Sequence, residues 1–178
     1  MQKNKNIDVK NLTRLALVAA AYVALTLVSS ALGLGYGPVQ FRVSEVLVLL
    51  CFYRKDYAPA LIVGCLIANL FSPFGLYDII FGTLATAVGV IPMYYMKNIY
   101  LSALLPIVSN GVIVGIELRL CGDPLWASMA FVALGELVVV GILGTMIFKL
   151  MIDKNPYMLK LIGSTRKTTV KNDKTANV

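Results

Sequence analysis

Histidine is absent from this 178-residue sequence, which removes the commonest catalytic base and the commonest metal ligand together. The three cysteines, Cys51, Cys65 and Cys121, are scattered without CxxC spacing, so the sequence predicts neither a disulfide framework nor a zinc site. The phosphate-binding pattern Gly-x-x-x-x-Gly-Lys-[Ser/Thr] is also missing, so no ATP site of that kind is expected. These absences argue against an enzyme and predict no cofactor and no metal.

Charge is scarce as well. Only 14% of the residues are charged, whereas 58% are hydrophobic, and the mean hydropathy is +0.79. This composition is typical of an integral membrane protein. A spanning helix needs about 20 residues, so the chain has room for about six spans and none for a soluble domain.

The apolar runs predict an all-α integral membrane protein with six transmembrane helices. A basic lead at 1–11 precedes a membrane domain at 12–152, and a basic tail at 153–178 follows it, disordered toward its end. The predicted helices are 12–34, 43–53, 57–71, 77–96, 99–120 and 125–152. The second and third are shorter than a full span. They are either two short helices or one interrupted re-entrant element, and two helices are preferred because they keep the number of crossings even.

The basic residues predict the orientation. With both termini in the cytoplasm, all but two of the 16 Lys and Arg residues fall on the cytoplasmic side. Such an asymmetry is the usual signature of membrane topology, which places the chain in the cell membrane as a multi-pass protein. The exceptions, Arg42 and Arg119, would lie outside.

A polar, turn-rich insert separates the first two apolar runs. Gly35-Tyr36-Gly37-Pro38 predicts a turn, because glycine permits positive φ and proline fixes its own φ. Gln40, Arg42 and Glu45 follow within a few residues and enter the next apolar segment. One interpretation is an interfacial loop in which Arg42 and Glu45 satisfy each other. The other is a functional site, the usual role of an ionisable residue in an apolar segment.

Further carboxylates and amides fall near the outer ends of the later helices, with one, Glu136, deeper inside. We therefore expect an outward-facing pocket for a small, hydrogen-bond-rich ligand, neutral or cationic, with donors along one edge. The candidate substrate-binding residues are Gln40, Arg42, Glu45, Asn69, Asp78, Asn110, Glu117 and Glu136.

Alanine recurs every four residues on the first helix, at Ala16, Ala20 and Ala24, and so forms one face. Small residues at this spacing let another helix approach closely in a membrane. The spacing fits a partner-docking face and internal packing equally well.

The stretch Tyr36-Gly37-Pro38-Val39-Gln40-Phe41-Arg42-Val43-Ser44-Glu45, in a short chain of six apolar segments, resembles the QueT family. QueT proteins are substrate-binding S-components of energy-coupling factor (ECF) transporters. The resemblance covers about residues 10–155. It implies uptake of queuosine precursors, which are 7-deazaguanine bases such as queuine, and assembly with a transmembrane coupling protein and two cytoplasmic ATPase subunits. Ala16, Ala20 and Ala24 correspond to the motif that meets the coupling protein.

Three alternatives stay open. The chain could be an S-component for a different vitamin, or a membrane assembly protein without a ligand, which leaves the outer carboxylates unexplained. An intramembrane enzyme using Asp78 or Glu136 is the third, but no nucleophile–base pair or metal cluster supports it.

Overall fold

The computed structural model describes residues 8–35 and 40–166, and every regular element in these two ranges is helical. The helices are α1 Val9–Ala31, α2 Val43–Tyr53, α3 Tyr57–Asn69, α4 Asp78–Tyr95, α5 Ile99–Leu120, α6 Leu125–Ile152 and α7 Pro156–Leu161. All six predicted segments are therefore helical. The turn predicted at 35–38 lies almost wholly outside the described residues.

Four helices of the described chain, α1, α4, α5 and α6, are long and apolar enough to cross a membrane. The helices α2 and α3 are apolar but shorter, as the sequence predicts. The number of crossings and the cytoplasmic position of the termini remain predictions, because length and composition establish only the four long helices as candidate spans.

Glycines allow the helices to approach closely. A Cβ atom added at Gly64 of α3 would lie 3.1 Å from the main-chain oxygen of Ala19 on α1. At Gly89 of α4 it would lie 3.0 Å from Cα of Pro106 on α5, and at Gly115 of α5 it would meet the α6 backbone. Small residues give van der Waals contact between helices where lipid removes the ordinary hydrophobic driving force.

The beginning of the tail packs across one end of the bundle. The Tyr57 hydroxyl donates to the main-chain oxygen of Ile162 at 2.7 Å, and the Thr165 N–H donates to that of Tyr53 at 3.1 Å. The Arg166 guanidinium lies over the Phe52 ring, 3.8 Å from its centroid. Residues 153–166 are thus part of the folded unit. The portion predicted to be disordered, near the chain end, lies outside the described residues.

Candidate functional site

Arg42 joins three helices at the end of the bundle opposite the tail. It immediately precedes α2, is buried, and donates from Nη2 to Oδ1 of Asn69 at 3.1 Å. The Asn69 amide, at the end of α3, donates in turn to the main-chain oxygen of Asp78 at 2.8 Å. Asp78 begins α4 with a π-helical turn, a local irregularity that often marks functional positions.

Glu45 lies in the first turn of α2 and faces α1. One of its carboxylate oxygens accepts a hydrogen bond from the Tyr22 hydroxyl. One turn away, the Thr26 hydroxyl donates to that of Ser44 at 2.7 Å. The second Glu45 oxygen, Oε2, is buried and accepts no hydrogen bond within the described part of the chain. Arg42 and Glu45 therefore do not satisfy only each other, because Arg42 binds Asn69 of α3 and Glu45 binds Tyr22 of α1.

Glu136 lies on α6, directly before a π-helical stretch. Its Oε1 accepts a hydrogen bond from the Asn110 amide of α5 at 2.8 Å. Its Oε2 is buried with no donor among the described residues. The main chain at Gln40 passes close to the same helix, because a Cβ atom at Gly135 would clash with the Gln40 carbonyl oxygen.

Glu117, near the end of α5, is fully buried. It lies beside Asp78 and interacts with it electrostatically, while the Ser72 hydroxyl donates to the Asp78 carboxylate. The Glu117 carboxyl lies within hydrogen-bonding distance of the Asp78 carboxyl, but no N–H or hydroxyl group of the described residues donates to either of its oxygens. Buried polar atoms usually have partners, so such atoms call for an explanation.

Electrostatics connects these pairs into one cluster. The Arg42 guanidinium attracts four buried carboxylates. These are Glu45, Asp78, Glu117 and Glu136. Carboxylates thus outnumber cations at this site, and four of their oxygens lack a donor within the described ranges.

All eight residues predicted from sequence as substrate-binding are buried. Hydrogen bonds and charge interactions connect the side chains of seven of them, and Gln40 lies beside α6 through its main chain. Among the described residues, no three Cys, Asp or Glu side chains are close enough together to hold one metal ion, and this includes the four carboxylates of the cluster.

The contribution of α1 to this cluster was not predicted from the sequence. Tyr22, Thr26 and Ser29 are buried and recur at i, i+4 and i+7, so they form one polar stripe. That spacing was the available signal. Cys65 of α3 was also missed as a neighbour; it accepts from the Thr86 hydroxyl at 3.2 Å and gave no signal of its own.

The three alanines lie on the other side of α1. Ala16, Ala20 and Ala24 are exposed, whereas the contact with α3 involves Ala19. Internal packing within the described chain therefore involves a different face, and the alanine face remains accessible.

The model of the QueT transporter family matches residues 12–153. This chain belongs to the QueT transporter family. A member named "Queuosine precursor transporter QueT", from Lactococcus lactis subsp. cremoris (strain MG1363), is 43% identical over 88 residues. That match covers 49% of this chain and 50% of the relative, so the chain aligns with about half the length of that protein. No solved structure matches the chain.

The family is one of transporters, and four helices of the described chain are long and apolar enough to cross a membrane, as a membrane protein requires. The family resemblance drawn from the sequence is confirmed. Part of the motif behind it, residues 36–39, lies outside the described residues.

Proposed function

We propose that this chain is the substrate-binding S-component of an ECF-type importer that takes up queuosine precursors, either queuine or a related 7-deazaguanine base. It would span the cell membrane six times with both termini in the cytoplasm. A transmembrane coupling protein and two cytoplasmic ATPase subunits would supply the energy. Family membership and the name of the Lactococcus relative support the queuosine precursor transporter part of this proposal.

The observation that carries the proposal is the set of buried carboxylate oxygens without donors in the described chain, on Glu45, Glu117 and Glu136. Leaving a buried acceptor unpaired costs about 1–3 kcal/mol. A ligand rich in N–H groups removes that cost on binding, which makes the site complementary to donors rather than to acceptors.

A 7-deazaguanine base has this donor pattern. Its N1–H and exocyclic amine are adjacent and can both donate to a single carboxylate. Its carbonyl oxygen needs a donor, and Arg42 and Asn69 carry N–H groups within the same cluster. The cationic amine on the queuine side chain would pair with a second carboxylate. Gln40, Asp78 and Asn110 complete the proposed site.

The partner side of the proposal rests on the exposed alanine face of α1. Ala16, Ala20 and Ala24 present small side chains in a row on a helix whose apolar window is only 17% buried. Such a face allows close approach of a helix from the coupling protein.

An S-component for another vitamin is the nearest competing function. A ligand edge made mainly of acceptors would leave the carboxylate oxygens unpaired and would be repelled by them, so the cluster favours a donor-rich base. A membrane assembly protein without a ligand would keep these oxygens buried at a permanent cost.

Titration of the detergent-solubilised chain with queuine tests the proposal. We expect binding in the micromolar range or tighter, with no measurable binding of thiamine or riboflavin. A 7-deazaguanine base without the side-chain amine should bind more weakly, because it loses one charge-assisted hydrogen bond. Preferential binding of thiamine or riboflavin would overturn the proposal.

The Glu117→Gln variant tests the location of the site. It should weaken queuine binding, because an amide places a donor where the base needs an acceptor. Asp123→Asn is the matched control, since Asp123 lies in the α5–α6 loop at the same end of the bundle and outside the buried cluster. Equal affinities for the two variants would place the site elsewhere.

A further inference from the structure

A cavity lies at the tail end of the bundle, and it shares no residue with the carboxylate cluster. Its volume is about 780 Å³, within the range of about 300–1,000 Å³ that is typical of ligand pockets. It is bounded by the N-terminal half of α1, by α2, by the first residue of α3 and by α7. The tail segment that packs across the bundle therefore forms one wall.

The lining of this cavity is amphipathic. One part is aliphatic and includes Leu17, Val18, Leu47 and Leu50. The other part contains three basic residues. They are Lys10, Arg14 and Lys160. No acidic residue of the described chain lines the cavity.

These three cations form no ion pair with the described residues. Two acids at this end of the bundle bind other cations, because Asp56 pairs with Arg54 at 2.6 Å and Asp153 with Lys149 at 3.6 Å. Asp153 also accepts from the Tyr53 hydroxyl at 2.7 Å. The positive charge along the cavity is therefore not neutralised within the described part of the chain.

Arg14 is positioned by the tail. A Cβ atom at Gly163 would clash with Arg14 Nη1, so the guanidinium lies against the turn that ends α7. Gly163 has φ +62°, a conformation that favours glycine. The turn thus brings α7, with Lys160, next to the first turns of α1, with Lys10 and Arg14.

We infer that this cavity binds an anionic phospholipid, with the headgroup phosphate at Lys10, Arg14 and Lys160 and the upper acyl chain along the aliphatic wall. Basic pockets between transmembrane helices are suited to anionic headgroups. The aliphatic wall is open to the bilayer, since Leu17 is 66% exposed and Leu161 is 55% exposed. An acyl chain can enter from the membrane while the cations remain at its surface.

Native mass spectrometry of the full-length chain tests this inference. The detergent-solubilised protein is incubated with equimolar dioleoyl phosphatidylglycerol and dioleoyl phosphatidylcholine, free lipid is removed, and the retained lipids are counted. We expect selective retention of phosphatidylglycerol. The triple variant Lys10→Gln/Arg14→Gln/Lys160→Gln should lose this selectivity. Each basic residue removed should lower the preference for phosphatidylglycerol over phosphatidylcholine about fivefold.

The matched control is Lys55→Gln/Lys97→Gln/Lys154→Gln. It removes the same charge from exposed positions outside the cavity lining and should retain the selectivity. The melting temperature in lipid-free detergent, measured on both triple variants, serves as a check on folding that depends on neither the lipid nor the transported ligand.

Three results would overturn the inference. The first is equal retention of the two lipids by the unmodified chain. The second is equal loss of selectivity in both triple variants, which would indicate general surface charge. The third is an unmodified chain without lipid selectivity whose cavity variant no longer assembles with a coupling protein. That result would make the cavity a protein interface.

Discussion

The two faces of α1 differ in burial, in hydrogen bonding and in side-chain size. The inward face carries Tyr22 and Thr26, which are buried and hydrogen-bonded to α2. The outward face carries Ala16, Ala20 and Ala24, which are exposed and small. A single helix therefore lies between the proposed ligand site and the proposed partner surface. Substitutions on the two faces should have separable effects.

Ala20→Trp should produce the largest effect. A bulky side chain on the outward face would keep a partner helix at a distance, so transport with the coupling module should be abolished. Queuine binding by the isolated chain should stay unchanged, because the inward face is untouched. Uptake of labelled queuine into cells and titration of the purified variant measure the two properties.

Ala16→Trp should behave as Ala20→Trp does, whereas Ala19→Trp is the matched control for the neighbouring face. Ala19 packs against Gly64, so its replacement should lower the melting temperature and both activities together. Equal loss of transport and binding in Ala20→Trp would mean that the alanine face packs internally.

Gly64→Leu should destabilise the protein by about 1–3 kcal/mol, because an inserted side chain must separate α3 from α1. A Cβ atom there would lie 3.1–3.3 Å from atoms of Ala19 and Tyr22. Chemical denaturation in detergent measures the change. Ala24→Leu is the control, since it adds bulk to the exposed face of α1 and should leave stability unchanged. Equal destabilisation by the two changes would contradict the difference between the faces.

Tyr22→Phe should have a smaller effect on the inward face. The change removes the donor to Glu45 and leaves both of its oxygens without a partner in the described chain. We expect a loss of about 1–3 kcal/mol of stability, measured as a lower melting temperature without ligand. Thr26→Val, which removes a neutral hydrogen bond to Ser44, should cost less. A larger effect of Thr26→Val would contradict the importance given to Glu45.

Much of the fold could be predicted because apolar length dominates in a membrane protein. The observed bounds of α5 are the predicted ones because both ends carry local stop signals. Asn98 caps the start by accepting from the Leu101 N–H at 2.8 Å, and Gly122, with φ +110°, follows the end. The helix α1 begins at Val9, before the predicted start, since helical hydrogen bonding extends into the polar residues that precede the apolar run. The packed tail at 153–166 was not predicted, because its contacts come from residues about 100 positions earlier.

The site residues could be found because carboxylates and amides are rare in apolar segments and are costly there. Their pairings could not. Asn110 binds Glu136, 26 residues away, and Arg42 binds Asn69, 27 residues away. Such contacts depend on how the helices pack, and periodicity along one helix carries no information about them.

Glu45→Gln tests most directly whether the donor-deficient carboxylates receive the ligand. Queuine affinity and melting temperature are measured on the same preparation of the variant. If Glu45 accepts hydrogen bonds from the ligand, affinity should fall by about 30- to 1000-fold, equivalent to about 2–4 kcal/mol. Unchanged affinity with a lowered melting temperature would contradict this role, because Glu45 would then only hold α2 against α1.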